Sequence, residues 1–386
     1  MGKLRSLYVS RFCPDRTRTD PYTGLPWYLS QKTEMIGIWG KSNKTVPFYR
    51  NCLEIIEIDP RWQGLLKAII STMRLIKKRN NFDIILCGVD EYSLCISLLV
   101  STRTKTPVFS IVEDPPFTSR FEPPINSVLK IEKKVRKVLI SKLLKKCSGI
   151  FCFIEKEVLK GIDVKNIKIY QLSNGAAPDG IEWKKGYSVV KSTEKKYIVG
   201  YIGEINMDQG VEDLLEIFAK ARSKNEGMYL RLIGPVNKKY RRNFENNIAY
   251  WNLNNYVENT GWLPYEKMLE KLEECDVCVY CNKATDWFQA AHPLKICEYL
   301  ALKKPIVAWD YPGIRRMLDN GKYGILIPSG EKETFTKHLI NMGNPMNRKA
   351  LEEEISKAIQ GRLSSDYWYN HIFRILEKTR DGEIIS

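Results

Sequence analysis

The stretch KYIVGYIGEINMDQGVEDLLEIFAKA, residues 196–221, decides the fold class of the chain. It begins with a short apolar strand pattern, which leads through a glycine-containing loop into an amphipathic helix pattern. The same succession of strand, loop and helix continues to residue 342. Apolar strands of four to seven residues that alternate with helices of about ten residues are typical of a parallel sheet with helices on both faces.

The first half of the chain repeats this pattern less regularly. Strand-like segments lie at 7–10, 34–40, 52–58, 83–88, 107–112, 149–154 and 167–172, and helix-like segments at 62–78 and 126–146. A chain of 386 residues is long enough for two domains. We therefore predict an α/β protein with two doubly wound, Rossmann-like domains, residues 1–186 and 187–363. The hinge between them is expected at 181–196, where lysine, serine and glycine accumulate.

The composition, 44% hydrophobic and 27% charged, is that of a globular protein and excludes a disordered tail or a membrane channel. No apolar run approaches the roughly 20 residues of a spanning helix, and the N-terminus lacks an apolar stretch suited to secretion. A cytoplasmic location is the expectation. Three of the ten cysteines form a C-x-x-C-x-x-C spacing at Cys275, Cys278 and Cys281, but the segment alternates like a strand, so we expect reduced thiols and no metal.

The excess of positive charge lies in the first half of the chain. The net charge is +16, and residues 1–186 carry 32 basic against 18 acidic side chains. This distribution predicts an anionic partner, which is a phospholipid surface, a phosphorylated acceptor or nucleic acid. The helix pattern 126–146 has eight basic residues and one acidic residue. Its lysine face either binds an anionic membrane or is an ordinary solvated surface. Its apolar side chains at helical spacing are expected to face the core: Val128, Ile131, Val135, Val138 and Leu139.

Two segments of the second half have the features of an anion site. The loop 200–210 places glycines before a helix N-terminus, which suits a phosphate but also occurs in simple tight turns. In HPLKICEYLA, Pro293 opens a helix and Lys295 lies in its first turn, where the helix dipole disfavours a cation unless an anion is near. Glu298 follows one turn later. The alternative interpretation is that Lys295 and Glu298 pair with each other.

These segments together resemble a known family. The loop 200–210, LRLIGPV, GWLPYEKMLEKLEECDVCV and residues 292–331 are similar to the C-terminal domain of retaining, nucleotide-sugar-dependent glycosyltransferases of family four. The resemblance covers about residues 196–343 and is looser in the first half. It implies the GT-B fold of two facing Rossmann-like domains, with the last helix, residues 364–380, packing back on the N-terminal domain.

The resemblance also implies a donor site. Glu298 matches the glutamate that binds the donor ribose, whereas the family's other glutamate falls on Ala290, so that Asp286 is a candidate substitute. The arginine and lysine that neutralise the donor diphosphate are replaced by Glu204 and Gln209. Lys295 is our candidate for this catalytic role, and the alternative is a catalytically silent relative. The expected donor-binding residues are Gly203, Glu204, Asn206, Trp262, His292, Leu294 and Glu298.

The acceptor side is expected in the first half. Where the family has a histidine after the fifth strand, this chain has Glu113 and Asp114, which would orient an acceptor hydroxyl or act as a base, or else only cap the loop. The long loop after the first strand carries Arg11, Arg16 and Gly24. Its arginines suit a phosphate, but they are also compatible with a solvated surface.

We therefore expect an enzyme that moves a sugar from a nucleotide-diphosphate donor to an acceptor hydroxyl, in surface polysaccharide or glycolipid synthesis. The acceptor is expected to be lipid-linked, a saccharide or phosphorylated, and contact with the inner face of an anionic membrane is a further expectation. No D-x-D triplet occurs, which argues against the metal-dependent, single-domain type of transferase. Neither a metal nor a cofactor is expected. A basic nucleic-acid-binding protein is the remaining alternative, which the charge alone supports, and nucleic acid is not expected as a partner.

Overall fold

The computed structural model describes residues 2–12, 21–41, 51–59, 64–79, 81–114, 127–162, 164, 166–177, 182, 184 and 196–383. The chain divides into two compact units. The N-terminal unit consists of Met1–Ser173 with Asp366–Ser386, and the C-terminal unit is Asn174–Ser365. Most of the predicted hinge, residues 181–196, lies outside the described residues.

The N-terminal unit contains a sheet of seven parallel strands in the order β3-β2-β1-β4-β5-β6-β7. The strands are β1 Arg5–Ser10, β2 Glu34–Gly40, β3 Glu54–Ile58, β4 Ile84–Gly88, β5 Val108–Val112, β6 Gly149–Cys152 and β7 Ile169–Gln171. The central strands are buried along their whole length, because helices cover both faces of the sheet.

The helices of this unit are α1 Pro21–Lys32, α2 Leu65–Lys78, α3 Glu91–Thr104 and α4 Ser127–Leu144, together with the last helix, Ser365–Arg380. Helices α2, α3 and α4 contribute to one apolar cluster of the sheet, and α1 contributes with the last helix to the other. The Tyr28 hydroxyl of α1 donates to Asn370 Oδ1 at 3.2 Å, and the Tyr28 ring lies 5.9 Å from that of Tyr369.

Two sequence expectations for this unit are wrong. The segment after β1 is helical from Pro21 onward, so Gly24 lies buried inside α1 rather than in a loop. In α4 the valines at positions 135 and 138 are 60% and 50% exposed, while Ile140 and Leu144 are buried. Apolar side chains lie on more than one side of α4, and spacing alone does not tell which side packs on the sheet.

The C-terminal unit contains six parallel strands in the order β10-β9-β8-β11-β12-β13. The strands are β8 Tyr197–Ile202, β9 Met228–Ile233, β10 Val257–Asn259, β11 Val277–Tyr280, β12 Ile306–Trp309 and β13 Ile325–Ile327. The helices are α5 Val211–Arg222, α6 Arg241–Tyr250, α7 Tyr265–Glu273, α8 Asp286–Ala290, α9 Leu294–Ala301, α10 Pro312–Met317, α11 Lys332–Asn341 and α12 Pro345–Ala358. The prediction of two doubly wound parallel sheets is confirmed.

The three closely spaced cysteines are buried around β11. Cys275 precedes the strand, Cys278 lies within it and Cys281 follows it. Burial raises the pKa of the Cys275 and Cys281 thiols to about 12, so they stay protonated. In the part of the chain that the structure describes, no three histidine, cysteine or acidic side chains are grouped as metal ligands. No helix among the described residues is both long and apolar enough to span a bilayer.

Candidate functional site

The candidate site of the C-terminal unit lies where the order of strands reverses, between β8 and β11. These strands pair only at Val199 with Val277 and at Gly200 with Cys278. The Tyr299 hydroxyl of α9 is placed beyond this pairing, where it accepts from the Ile202 N–H at 3.1 Å and donates to the Val279 carbonyl at 3.2 Å. A side chain thus bridges the two diverging strands. Ligands of open parallel sheets bind at such a reversal point, outside the carboxyl ends of the strands.

Two glycines bring the backbones after β8 and β9 together at this edge. Gly203 has φ +133° and Gly234 has φ +151°, a region that favours glycine. A Cβ on Gly234 would lie 2.1 Å from the Gly203 carbonyl oxygen, so only glycine fits there. A Cβ on Gly203 would lie 3.2 Å from Lys295 Nζ. The backbone after β8 therefore passes directly beside this ammonium group.

The Lys295 ammonium is held by neutral oxygen atoms of three side chains. It donates to Gln209 Oε1 at 3.0 Å, to the Tyr201 hydroxyl at 3.2 Å and to Asn282 Oδ1 at 3.4 Å. It also lies 4.3 Å from the centre of the Tyr201 ring and 5.5 Å from that of Tyr280. These contacts fix the position of the cation at the carboxyl edge of β8 and β11.

Gln209 is the centre of this hydrogen-bond network. Its Oε1 accepts from Lys295, from the Tyr201 hydroxyl at 3.2 Å and from Asn282 Nδ2 at 3.0 Å. Since an ammonium only donates, the amide must present its oxygen to Lys295. The sequence identified Gln209 only as a departure from the family pattern, and it identified neither Tyr201 nor Asn282 as a site residue. Both residues lie at the carboxyl ends of strands, Tyr201 in β8 and Asn282 after β11. Because ligands of parallel sheets bind at these ends, this position in the sequence pattern could have identified them.

The Glu204 carboxylate is exposed and is bound by two asparagine amides. Asn237 Nδ2 donates to Oε1 at 2.9 Å and Asn206 Nδ2 donates to Oε2 at 2.9 Å. The Asn206 Oδ1 in turn accepts from the backbone N–H groups of Asp208 and Gln209, which caps the 3-10 turn Met207–Gln209. Glu204 and Asn206 are thus brought together, as expected for residues of one loop.

The other predicted donor-site residues lie on α9 and around it. Glu298 is buried in α9, and its Oε2 accepts from the Tyr265 hydroxyl at 2.8 Å. Leu294 is the first residue of the same helix and is half-buried. His292 is buried, and its carbonyl oxygen accepts from Asn174 Nδ2 at 2.8 Å. Trp262 follows β10 and is 73% exposed.

Position 290, where the sequence analysis expected the family's glutamate to be missing, lies on α8. Ala290 is the buried last residue of this short helix, and Asp286 is its exposed first residue. Thr285 Oγ1 accepts from the Phe288 N–H and caps the helix. The Asp286 carboxylate is therefore solvent-exposed at the start of α8, four residues before Ala290.

The N-terminal unit has a second group of charged residues at the carboxyl edge of its sheet. Glu113, which is buried, and Asp114, which is exposed, directly follow β5. Arg11 follows β1, and Glu91 begins α3 after β4. Sequence analysis did not identify Glu91 as a site residue. Among the predicted acceptor-side residues, Arg16 lies outside the described residues.

Comparison with known proteins gives a match to one family model and a likeness in fold. Residues 188–361 match the family model described as glycosyl transferases group 1. A Salmonella typhimurium protein named as the colanic acid biosynthesis glycosyltransferase WcaL is 23% identical over 183 residues, which is 47% of this chain and 40% of that protein. The chain spans less than half the length of the curated relatives that it matches.

Solved structures resemble nearly the whole chain. The crystal structure of Anabaena Alr3699/HepE in complex with UDP aligns with a TM-score of 0.67 at 13% identity, covering 97% of this chain and 100% of that one. A glycosyltransferase from Rickettsia africae ESF-5 aligns with a TM-score of 0.71 at 14% identity, covering 98% and 99%. At such identities the likeness concerns the fold, and it confirms the predicted GT-B class.

Proposed function

We propose that the chain, whose residues 188–361 match the family model described as glycosyl transferases group 1, is an enzyme that transfers a sugar from a nucleotide-diphosphate donor to an acceptor hydroxyl. The solved structure of Anabaena Alr3699/HepE contains UDP, which supports a nucleoside diphosphate as the leaving group. In this proposal the donor binds at the carboxyl edge of β8 and β11, the reversal point of the C-terminal sheet.

The fixed ammonium of Lys295 is the observation that carries the proposal. A departing nucleoside diphosphate gains negative charge on its phosphate oxygens, and a preorganised cation at that place lowers the barrier. Three neutral side chains hold this ammonium beside the backbone of Gly203, at the N-terminal turn of α9. Glycine at position 203 lets a phosphate approach the backbone closely, and the helix N-terminus adds favourable N–H dipoles. Lys295 would therefore replace the cations that Glu204 and Gln209 do not supply.

Glu298 is our candidate for the donor ribose. A carboxylate accepts from two neighbouring hydroxyl groups at once, which suits the vicinal hydroxyls of a ribose. The Tyr265 hydroxyl orients one of its oxygens at 2.8 Å. Glu298 lies three residues after Lys295 in α9, so the same face of the helix can hold the ribose and the diphosphate together. Asn206, Trp262, His292 and Leu294 remain proposed donor contacts.

On the acceptor side we propose Glu113 and Asp114. Both follow β5 at the carboxyl edge of the N-terminal sheet, where a carboxylate can accept a hydrogen bond from the acceptor hydroxyl. From the family likeness we further propose that the anomeric configuration of the sugar is retained and that the charge on the leaving group is met by Lys295 without a metal ion. The name of the Salmonella relative supports polysaccharide synthesis as the setting.

A peripheral membrane contact is proposed for the outer face of α4. Val135 and Val138 are 60% and 50% exposed on this helix, beside the exposed Lys134 and Lys142. Aliphatic and basic side chains on one helix surface suit the boundary of an anionic bilayer, where the aliphatic groups enter the headgroup region and the lysines stay near the phosphates. Such a contact would bring the enzyme to a lipid-linked acceptor.

Nucleotide binding and transfer test the proposal separately. UDP, GDP and their sugars should each be screened for a rise in the unfolding temperature of the protein. A binding nucleotide should lose affinity with Glu298→Ala but not with Glu352→Ala, which removes an exposed glutamate of α12. Release of UDP from a UDP-sugar, or of GDP from a GDP-sugar, should then fall far more with Lys295→Ala than binding does. If no nucleotide sugar binds, the donor site is wrong, and binding without any transfer favours a catalytically silent relative.

A further inference from the structure

The carboxyl edge of the N-terminal sheet contains a group of three residues, Arg11, Glu91 and Arg136, which we name the Arg–Glu–Arg cluster. The order of strands in this sheet reverses between β1 and β4. Arg11 follows β1, and Glu91 is the first residue of α3 after β4. The cluster therefore lies at the reversal point, the place where an open parallel sheet binds its ligand.

A buried carboxylate holds the two guanidinium groups. The Glu91 side chain is 4% exposed, and its Oε2 accepts from Arg136 Nη2 at 3.1 Å, while Oε1 lies 3.9 Å from Arg11 Nη1. The arginine side chains are 31% and 44% exposed. Both guanidiniums thus lie within ion-pair distance of the same carboxylate, and both remain partly exposed to solvent.

The charges and donors of the cluster suit an anion. Each of the two guanidiniums has five N–H groups in a planar fork that matches phosphate oxygens, and a single carboxylate cannot occupy all of them. The neighbouring Asp90 caps α3, since its carboxylate accepts from the Ser93 N–H at 2.9 Å and the Ser93 hydroxyl at 2.7 Å, and it also interacts electrostatically with Arg11. The carboxylates of Glu113 and Asp114 follow the adjacent strand β5 and suit a hydroxyl group.

We infer that the Arg–Glu–Arg cluster binds a phosphate or diphosphate group of the acceptor, while the carboxylates after β5 meet the hydroxyl that is glycosylated. This inference rests on the proposed function and narrows the acceptor to a phosphorylated one. The phosphate belongs either to a soluble sugar phosphate or to a lipid-linked saccharide. Both have the chemistry that paired arginines recognise.

Titration calorimetry with inorganic diphosphate tests the cluster directly. It is carried out on the full chain with the Lys295→Gln substitution, so that a diphosphate at the proposed donor site does not obscure the result. Arg11→Gln and Arg136→Gln should each weaken binding about tenfold or more, because each removes charge-assisted hydrogen bonds. Arg136→Lys should lose part of the affinity, since a lysine keeps the charge but not the fork.

Arg74→Gln is the matched control, because Arg74 is an exposed arginine of α2 in the same unit. It should leave diphosphate binding within about twofold of its parent. Equal losses in all arginine variants would mean unspecific attraction to a basic protein, and unchanged binding in Arg11→Gln and Arg136→Gln would mean that the cluster is not a site. Either result overturns the inference. Thermal unfolding of each variant shows that a loss of binding is not a loss of fold.

A second measurement distinguishes an acceptor phosphate from the phosphate groups of a bilayer surface. Vesicles of phosphatidylglycerol mixed with phosphatidylcholine replace the inorganic diphosphate, and the same variants are compared. If the arginine variants lose binding of soluble diphosphate but bind vesicles unchanged, the cluster binds a phosphorylated acceptor group and does not bind the bilayer surface. Loss of vesicle binding alone, with diphosphate binding unchanged, assigns the arginines to lipid attachment and overturns the acceptor subsite. Nucleotide binding that depends on Glu298 is measured with Arg11→Gln and Arg136→Gln in the chain that keeps Lys295; it should be unchanged there, so failure of the donor site is seen independently.

Discussion

Gln209→Glu is the most direct test of how the C-terminal site uses Lys295. The substitution keeps the shape of the side chain but replaces a neutral oxygen, 3.0 Å from Lys295 Nζ, by a carboxylate. At an effective dielectric constant near 20, opposite charges at this distance attract by about 5 kcal/mol before desolvation is subtracted. The carboxylate at position 209 would then neutralise the Lys295 ammonium. The leaving diphosphate would meet an ion pair in place of a free positive charge.

The expected result is a fall in turnover of about 100-fold or more, the usual effect of losing one preorganised partner of a developing charge. The fold should be retained, because the carboxylate can still accept from Tyr201 and Asn282. Release of nucleoside diphosphate from a nucleotide sugar measures the turnover, and thermal unfolding measures the fold. Gln360→Glu adds the same charge at an exposed position of the same unit and should change neither. Full turnover of Gln209→Glu would refute the argument that Lys295 acts through its charge.

Three further predictions concern the elements around the two sites. Tyr299→Phe removes the hydroxyl that bridges Ile202 and Val279, so two buried backbone groups lose a hydrogen-bond partner. The free energy of unfolding, measured in urea, should fall by about 2 kcal/mol. An equal loss with Tyr367→Phe, which changes an exposed tyrosine, would contradict this prediction. Gly203→Ala should weaken nucleotide binding, since the new Cβ would lie 3.2 Å from Lys295 Nζ, whereas Gly330→Ala, also at positive φ but in open space, should leave calorimetric affinity unchanged. The double substitution Lys134→Gln and Lys142→Gln should weaken attachment to anionic vesicles by about 1 kcal/mol per charge. The control is the same change at two exposed lysines of α12, Lys349 and Lys357, and it should leave attachment unchanged. If all proteins sediment equally with vesicles, the membrane proposal is wrong.

The sequence predicted the fold well because the central strands are buried on both faces. A strand of this kind is a continuous apolar run, and such runs are recognisable without knowledge of their neighbours. The α12 helix was missed although Asn344 caps it and Pro345 occupies its first turn, two features that sequence analysis can use. The outward valines of α4 were placed wrongly because the helix carries apolar side chains on more than one face, and only packing decides which of them is buried.

The chemistry of the sites was predictable only where one short segment carries it. Lys295 and Glu298 lie on one helix turn, so their relation can be inferred from spacing. Gln209 and Lys295 are 86 positions apart, and their contact depends on the strands β8 and β11 lying side by side. The same holds for Glu91 and Arg136, which are 45 positions apart on helices α3 and α4. Contacts of this kind depend on the arrangement of the strands and helices, and hydrophobic periodicity does not encode them.

The two clusters of charge differ in how their cations are held, and this difference predicts what each can do. Gln209, Tyr201 and Asn282 accept hydrogen bonds from the Lys295 ammonium, and all three side chains are neutral. They therefore hold the ammonium in place without neutralising its charge. Arg11 and Arg136 share the carboxylate of Glu91, which cancels half of their combined charge. A site that must stabilise charge as it develops benefits from the first arrangement. A site that must hold a phosphate reversibly, and release the product that carries it, benefits from the second, because a weaker field binds less tightly.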